Sequence, residues 1–274
     1  MAHARRFYAE GGTPAVPRRA ATVVLLRDTA DGMQAYLVRR ATTMAFASGM
    51  YAFPGGSIDA RDETTGGDDA PWASWVELLG LADPNGPGGA DDLGVAQARA
   101  VLCAAVRETF EEAGVLLAGP DPDALVGNVD TEDWEADRES LVAHRTGLSE
   151  LLAARGLLLR TDLLRPWARW ITPEFEPRRY DTFFFVAELP AGQVARQVGG
   201  EADRVLWMPP GEAVAEQAAG RMAMLPPTVA VLSALSGYAT VADALGAATR
   251  PLVPVTPQIR LSGSGGRLVF PDGA

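Results

Sequence analysis

Three glutamates, Glu108, Glu111 and Glu112, lie close together near the end of a predicted helix. At about 100° of rotation per residue, their side chains fall within one arc of about 100°. Like charges on one helix face are unfavourable, and the negative end of the helix dipole makes them more so. Arg107, four residues before Glu111, neutralises only part of this charge. A hard cation such as Mg²⁺ or Mn²⁺, which prefers several carboxylate oxygens, would neutralise the rest. The alternative is a solvated acidic face with an ordinary ion pair.

A second segment of interest, Phe53-Pro54-Gly55-Gly56, lies upstream, where proline and glycine interrupt a short predicted strand and the chain is expected to turn. Together with the run 107–115 it resembles the Nudix box: a glycine, five residues, a glutamate, seven residues, then Arg-Glu-apolar-x-Glu-Glu-x-Gly-apolar. Gly56 takes the place of the first glycine, and Asp62 that of the first glutamate. In this chain 44 residues separate Asp62 from Arg107. The strand–loop–helix context that such a motif requires is also predicted.

The resemblance implies a Nudix hydrolase with an α/β/α sandwich fold. In such an enzyme a metal-activated water attacks one phosphorus of a nucleoside diphosphate linked to another moiety. Gly55 and Gly56 would let the backbone approach the diphosphate closely, because they lack a Cβ. Glu108, Glu111 and Glu112 would hold Mg²⁺ or Mn²⁺, which neutralises the diphosphate and lowers the pKa of the water.

The resemblance also implies roles for other charged residues. Arg107 would be mainly structural, orienting the glutamates through a bidentate contact. Nudix enzymes often use a further acid after the last strands as a metal ligand or base. Glu201 and Asp203, just before a predicted strand at 204–208, are the candidates here, with Glu201 the predicted metal ligand. The alternative is that both are surface acids in a loop.

A finer resemblance concerns the substrate. Nudix enzymes that cleave coenzyme A have a pattern before Phe-Pro-Gly-Gly that this chain matches at Arg40, Ala41, Gly49 and Phe53, with Ala45 in place of its second arginine. The long insertion in the box is similar to that of the peroxisomal coenzyme A diphosphatase subgroup. This implies hydrolysis of coenzyme A or an acyl derivative to 3′,5′-ADP and 4′-phosphopantetheine. A diphosphatase for NADH or ADP-ribose, and a nucleotide-sensing module without turnover, stay open as alternatives.

Four arginines are candidates for binding the outer phosphates of such a substrate. Arg39 and Arg40 lie near the end of a predicted hairpin, and Arg178 and Arg179 precede an aromatic strand. The planar guanidinium group matches the geometry of a phosphate. The alternative, of equal weight, is ordinary ion pairing on the surface of an acidic protein.

The composition excludes several classes of protein. Lysine and arginine number 24 against 35 acids, a net charge of −11, which argues against a nucleic-acid binder. The single cysteine, Cys103, excludes an internal disulfide. Without an apolar run of about 18 residues we expect no membrane span and a cytoplasmic protein acting on a small-molecule nucleotide. A homodimer is left open, and His144, in a polar helical stretch, has no predicted role.

Predicted elements place these residues in an α/β fold. Apolar runs at 22–26 and 34–38, joined by Asp31-Gly32, predict a β-hairpin. Apolar spacing of three and four from Ala98 to Ala113, followed by Gly114, predicts the helix that carries the glutamates. Further strands and helices complete a mixed sheet packed between helices, with strands at 167–171, 180–189 and 204–208 and helices near 210–219, 226–235 and 241–247.

Stretches rich in glycine, proline and aspartate define the predicted domain boundaries. We expect a flexible arm at 1–17, a Nudix hydrolase domain at 18–250 and a C-terminal tail at 251–274 with one or two strands. The domain would contain an insertion at about 61–97 with one short helix, and a helical insertion at about 121–160.

Overall fold

The computed structural model describes residues 2–43, 47–64, 71–82, 92–200, 202–248, 250–262 and 265–270. Its strands are β1 (Arg18–Thr29), β2 (Gly32–Arg40), β3 (Tyr51–Ala52), β4 (Gly55–Ser57), β5 (Ala118–Gly119), β6 (Leu158–Leu159), β7 (Arg165–Ile171), β8 (Tyr180–Glu188), β9 (Ala202–Met208), β10 (Pro254–Val255), β11 (Gln258–Ser262) and β12 (Gly265–Val269). Its α-helices are α1 (Ala2–Ala9), α2 (Trp72–Leu78), α3 (Asp92–Ala113), α4 (Glu132–Val142), α5 (Leu148–Arg155), α6 (Pro210–Ala218), α7 (Pro226–Leu235) and α8 (Val241–Ala247). Short 3-10 helices occupy Ala60–Thr64 and Thr161–Leu163. Among the helices described, none has the length and apolar character needed to cross a bilayer.

The main sheet is mixed, as predicted. Its strand order is β10-β7-β8-β1-β2-β3, with β4 also paired with β1 and β9 with β2. Strand β1 runs parallel to β8, from Arg18 opposite Tyr180 to Leu26 opposite Glu188, and antiparallel to β2 and β4. The predicted hairpin is formed by β1 and β2, and its turn brings Thr29 opposite Gly32.

Side chains of β1 alternate between two apolar cores, one on each face of the sheet. Val23 and Leu25 pack with buried residues of α2 and α3. Val24 and Leu26 pack with residues of α6, α7 and α8 on the opposite face. Because helices cover both faces, β1 is apolar along its whole central run, as expected for a doubly covered strand. The predicted α/β/α sandwich is confirmed.

Helix α3 carries the three glutamates and packs its apolar face, including Leu102 and Val106, into the first core. It ends where predicted: Gly114 follows with a φ of +64°, the left-handed conformation that glycine adopts readily. The helix begins at Asp92, within the stretch predicted as an insertion. The prediction placed the start of the helix later, because the apolar spacing becomes regular only from Ala98.

Two segments differ from the predictions. Pro54-Gly55-Gly56 was expected to end strand pairing, but Gly55 and Gly56 form β4 opposite Thr22 and Ala21 of β1. The segment at 1–17, expected as a flexible arm, contains helix α1. Its glycines and prolines follow residue 10, so the preceding residues are free to form a helix.

Candidate active site

The last turns of α3 are organised around Arg107, which is 6% exposed. Its Nε and Nη2 atoms donate to the two carboxylate oxygens of Asp62 at 3.0 Å each, and Nη2 also donates to the Ser57 carbonyl at 2.9 Å. Its Nη1 atom donates to Glu108 at 2.7 Å and to Glu111 at 3.4 Å. Although burial lowers the pKa of Arg107, the hydrogen bond to Asp62 and the charge of Glu108 raise it well above its ordinary value. Arg107 therefore stays charged and holds two glutamates in place.

The contact between Asp62 and Arg107 closes the long connection that interrupts the box. Asp62 is 1% exposed and lies in the 3-10 helix Ala60–Thr64, which packs against α3. The buried thiol of Cys103, one turn before Arg107, also donates to Asp62 Oδ1 at 3.3 Å. The two parts of the motif are thus adjacent in space although 44 residues separate them.

The glycines of β4 lie directly against β1 and α3. A Cβ on Gly55 would lie 2.4 Å from Thr22 Oγ1, and one on Gly56 would lie 2.4 Å from Glu108 Oε1. The Gly55 N–H donates to Glu112 Oε2 at 3.0 Å. Close packing, and not an unusual backbone angle, therefore requires glycine at both positions. The glycine segment and the glutamates therefore lie next to each other.

The three carboxylates form an acidic patch that is largely shielded from water. Glu108 and Glu111 are 12% and 11% exposed at their side chains. Burial raises the pKa of Glu108 to about 7, with the negative charge of Glu111 adding to the effect and Arg107 opposing it. Arg107 thus compensates the negative charge of the patch only in part.

The donor set suits a hard divalent cation, because these carboxylates present oxygen ligands of the kind that Mg²⁺ and Mn²⁺ prefer. Within the described part of the chain, no three carboxylate, histidine or cysteine side chains converge in a preformed metal site. Glu108 and Glu111 bind Arg107 Nη1, while Glu112 binds the Gly55 N–H.

A cavity of about 790 Å³ opens above the glutamates and glycines. It is large enough for a nucleotide-sized ligand. Most of the predicted site residues line it: Arg40, Gly55, Gly56, Arg107, Glu108, Glu111, Glu112 and Arg178.

Other predicted site residues lie elsewhere. Arg179 is not among the residues that line the cavity, and it donates to the carbonyls of Thr172 at 3.0 Å and Ala15 at 2.8 Å. It therefore fastens the N-terminal segment to the β7–β8 connection, and its role as a substrate ligand stays a prediction. Asp203 is the partner of Arg39 at 2.6 Å, away from the cavity wall. Glu201 and Ala45 lie outside the described residues.

Sequence analysis missed two polar residues at the cavity rim, Asp59 and His144. Arg61 joins them: its guanidinium binds both carboxylate oxygens of Asp59, and it donates to the His144 carbonyl at 2.8 Å. The hydrogen bonds from Arg61 lower the pKa of Asp59. The two residues are remote in sequence and share no periodic pattern, so no local signal could have paired them.

Two arginines from outside α3 bind the carbonyls at its end. Arg138 of α4, which is almost fully buried, donates to the Glu111 carbonyl at 3.0 Å. Arg196 donates to the Gly114 carbonyl at 3.3 Å. Both arginines also pair with Glu135. The helical insertion and the segment after β8 therefore meet at the terminus that carries the glutamates.

Comparisons with known proteins agree with this geometry. A family model described as the NUDT19 Nudix domain matches residues 17–235. The crystal structure of a Nudix hydrolase from Alicyclobacillus acidocaldarius superposes with a TM-score of 0.68 and 31% identity, covering 88% of this chain and 99% of that one. Putative nudix hydrolase 7 of Caenorhabditis elegans is 28% identical over 219 residues, 80% of this chain and 60% of that protein. Acyl-coenzyme A diphosphatase NUDT19 of Xenopus laevis is 25% identical over 237 residues, 75% of this chain and 60% of that protein. The chain thus covers about three fifths of each of these two curated relatives.

Proposed function

The chain belongs to the Nudix hydrolase family, in the group described by the NUDT19 Nudix domain, and on this premise we propose that it hydrolyses the diphosphate bond of coenzyme A or an acyl-coenzyme A. The products would be 3′,5′-ADP and 4′-phosphopantetheine or its acyl derivative. The observation that carries the proposal is one cavity whose lining includes the three glutamates, the two closely packed glycines and four arginines: Arg40, Arg107, Arg138 and Arg178.

The glutamates would hold Mg²⁺ or Mn²⁺. Such an ion, when bound, neutralises a diphosphate and lowers the pKa of a coordinated water. Arg107 orients Glu108 and Glu111, and is itself held in place by Asp62 and the Ser57 carbonyl. The glycines keep the backbone of β4 close to the carboxylates, so that a diphosphate can approach without a side chain between them.

Two features favour coenzyme A over simpler nucleotides. Arg40 and Arg178 line the same cavity as the glutamates and would bind phosphates outside the scissile bond, for which a guanidinium is well suited. Much of the remaining cavity wall is apolar, including Phe53 and Phe184, and would receive the pantetheine half of the substrate. The curated Xenopus laevis relative is named an acyl-coenzyme A diphosphatase, in agreement with this choice.

The test is a substrate panel. The purified full chain is incubated with Mg²⁺ or Mn²⁺ and coenzyme A, octanoyl-coenzyme A, NADH or ADP-ribose, and the products are resolved by chromatography. We expect 3′,5′-ADP from the coenzyme A substrates. Hydrolysis of ADP-ribose or NADH with coenzyme A left intact would reject the substrate assignment. Nucleotide binding without turnover of any diphosphate would favour the sensing module.

A further inference from the structure

One wall of the cavity comes from a part of the chain outside the family match, which ends at residue 235. Pro257 and Leu268, which flank and belong to the C-terminal hairpin β11–β12, both line the cavity. The glutamates and glycines line the same cavity. The hairpin is therefore in a position to contact a ligand whose diphosphate lies at the glutamates.

The hairpin is fixed to the sheet by several contacts. Strand β10, just before it, pairs in parallel with β7, with Val255 opposite Trp170. The Phe270 ring, just after β12, packs edge-on against Trp170 with a centroid distance of 5.9 Å. Trp170 is buried and also lines the cavity. The position of the hairpin is thus coupled to the cavity wall.

Helix α1, which also lies outside the family match, supports the same wall. Arg5 donates to the Ser262 carbonyl of β11 at 3.3 Å. The Tyr8 ring packs against Phe175, another cavity-lining residue, with a centroid distance of 6.4 Å. Both terminal segments therefore contact this part of the cavity, although neither contains a residue of the box.

We propose that hairpin β11–β12 is a specificity wall, and that Leu268 contacts the apolar chain carried by an acyl-coenzyme A substrate. The inference rests on the proposed function. An acyl chain is the occupant that fits, because the cavity-lining residues of the hairpin segment, Pro257 and Leu268, are apolar, and so is Trp170, to which the hairpin is fixed. Charged residues of the lining, such as Arg40 in β2 and Glu176 and Arg178 in the β7–β8 connection, belong to other segments. Transfer of an alkyl chain from water to apolar surface is favourable in proportion to the area buried.

The experiment compares Leu268→Ala and Leu268→Asp with a matched control, Val269→Ala. Val269 is the next residue of the same strand and is not among the cavity-lining residues, so its truncation shortens a side chain of the hairpin without altering the cavity wall. For each protein, binding of octanoyl-coenzyme A and of free coenzyme A is measured by calorimetry without added metal. Circular dichroism and thermal unfolding verify that each variant is folded.

We expect the parent to bind octanoyl-coenzyme A more tightly than free coenzyme A. Leu268→Ala should reduce this preference about fivefold and Leu268→Asp should abolish it, because a truncated or charged side chain no longer buries apolar surface against the chain. Val269→Ala should keep the parental preference. An unchanged preference in folded Leu268→Asp would overturn the proposal. Equal weakening of both ligands would also overturn it, because Leu268 would then contact a part that the two share.

Turnover separates this proposal from the proposed function. If the parent shows the Leu268-dependent binding preference but hydrolyses no coenzyme A with Mg²⁺ or Mn²⁺, the proposed activity fails and the specificity wall stands. If the parent hydrolyses both substrates but the variants keep the parental ratio of kcat/KM between them, the activity stands and the wall is refuted.

Discussion

Replacing Asp62 by asparagine tests whether the ion pair that closes the interrupted box determines the stability of the site. The substitution preserves the side-chain size but removes the negative charge that faces the buried Arg107. Breaking a buried pair from one side generally costs about 3–5 kcal/mol, because the remaining charge is left without compensation. Arg107 keeps its contacts with Glu108, Glu111 and the Ser57 carbonyl. We therefore expect a smaller loss, about 2–4 kcal/mol in the free energy of unfolding.

Thermal and urea unfolding, followed by circular dichroism, measure this loss. For a chain of this size it corresponds to a melting temperature lower by roughly 5–15 °C. The matched control is Asp203→Asn, which breaks the half-exposed pair with Arg39. Exposed pairs contribute little, so this control should unfold close to the parent. If Asp62→Asn destabilises the protein no more than Asp203→Asn, the argument from burial is refuted.

Three further predictions concern the glutamates and glycines. Glu111→Gln should lower kcat by about two orders of magnitude or more and leave the fold intact, because an amide gives a cation less negative charge than a carboxylate. The control is Glu139→Gln, a substitution of an exposed residue, which should retain parental turnover. Similar kcat values for the two variants would exclude the role of Glu111. Gly56→Ala should reduce kcat at least tenfold, because the added Cβ would lie 2.4 Å from Glu108 Oε1. The control Gly127→Ala adds a Cβ that has no atom within 4 Å, so it should leave kcat unchanged. Steady-state kinetics of both variants test this. Burial raises the pKa of Glu108 from 4.5 to about 7, so the folded protein binds the proton of this carboxyl more tightly than the unfolded chain does. Without metal, the resulting stabilisation is complete below about pH 4.5 and is lost as the pH rises through 7. The loss in the free energy of unfolding is roughly 3 kcal/mol. Urea unfolding in a chelator at pH 5 and pH 8 should show this loss in the parent but not in Glu108→Gln; the same pH dependence in both would contradict it.

The regular parts of the fold were predictable because their signals are local. Successive side chains of a strand point to opposite faces of the sheet. In β1 the side chains on both faces are apolar, Val23 and Leu25 on one and Val24 and Leu26 on the other, which fits a strand covered on both sides. The helical spacing that ends at Gly114 likewise depends only on neighbouring residues. Such signals determine element type well, but they do not report which distant elements touch.

Features that depend on distant contacts were missed or predicted wrongly. Gly55 and Gly56 have the composition of a turn, and only the presence of β1 beside them makes a strand favourable. The hydrogen bonds of Arg179 to Thr172 and Ala15 were missed, because Arg179 has the same chemistry as Arg178. The adjacency of Asp62 and Arg107 was expected only through the family resemblance, because 44 residues separate them.

The two arginines that bind the end of α3 have a consequence for the order of assembly. Arg138 and Arg196 offset the partial negative charge of the peptide carbonyls at that terminus. The acidic residues can therefore be brought together during folding before any ion arrives. Loading of the ion is then an ordinary, reversible binding equilibrium, so a chelator should empty the protein without unfolding it.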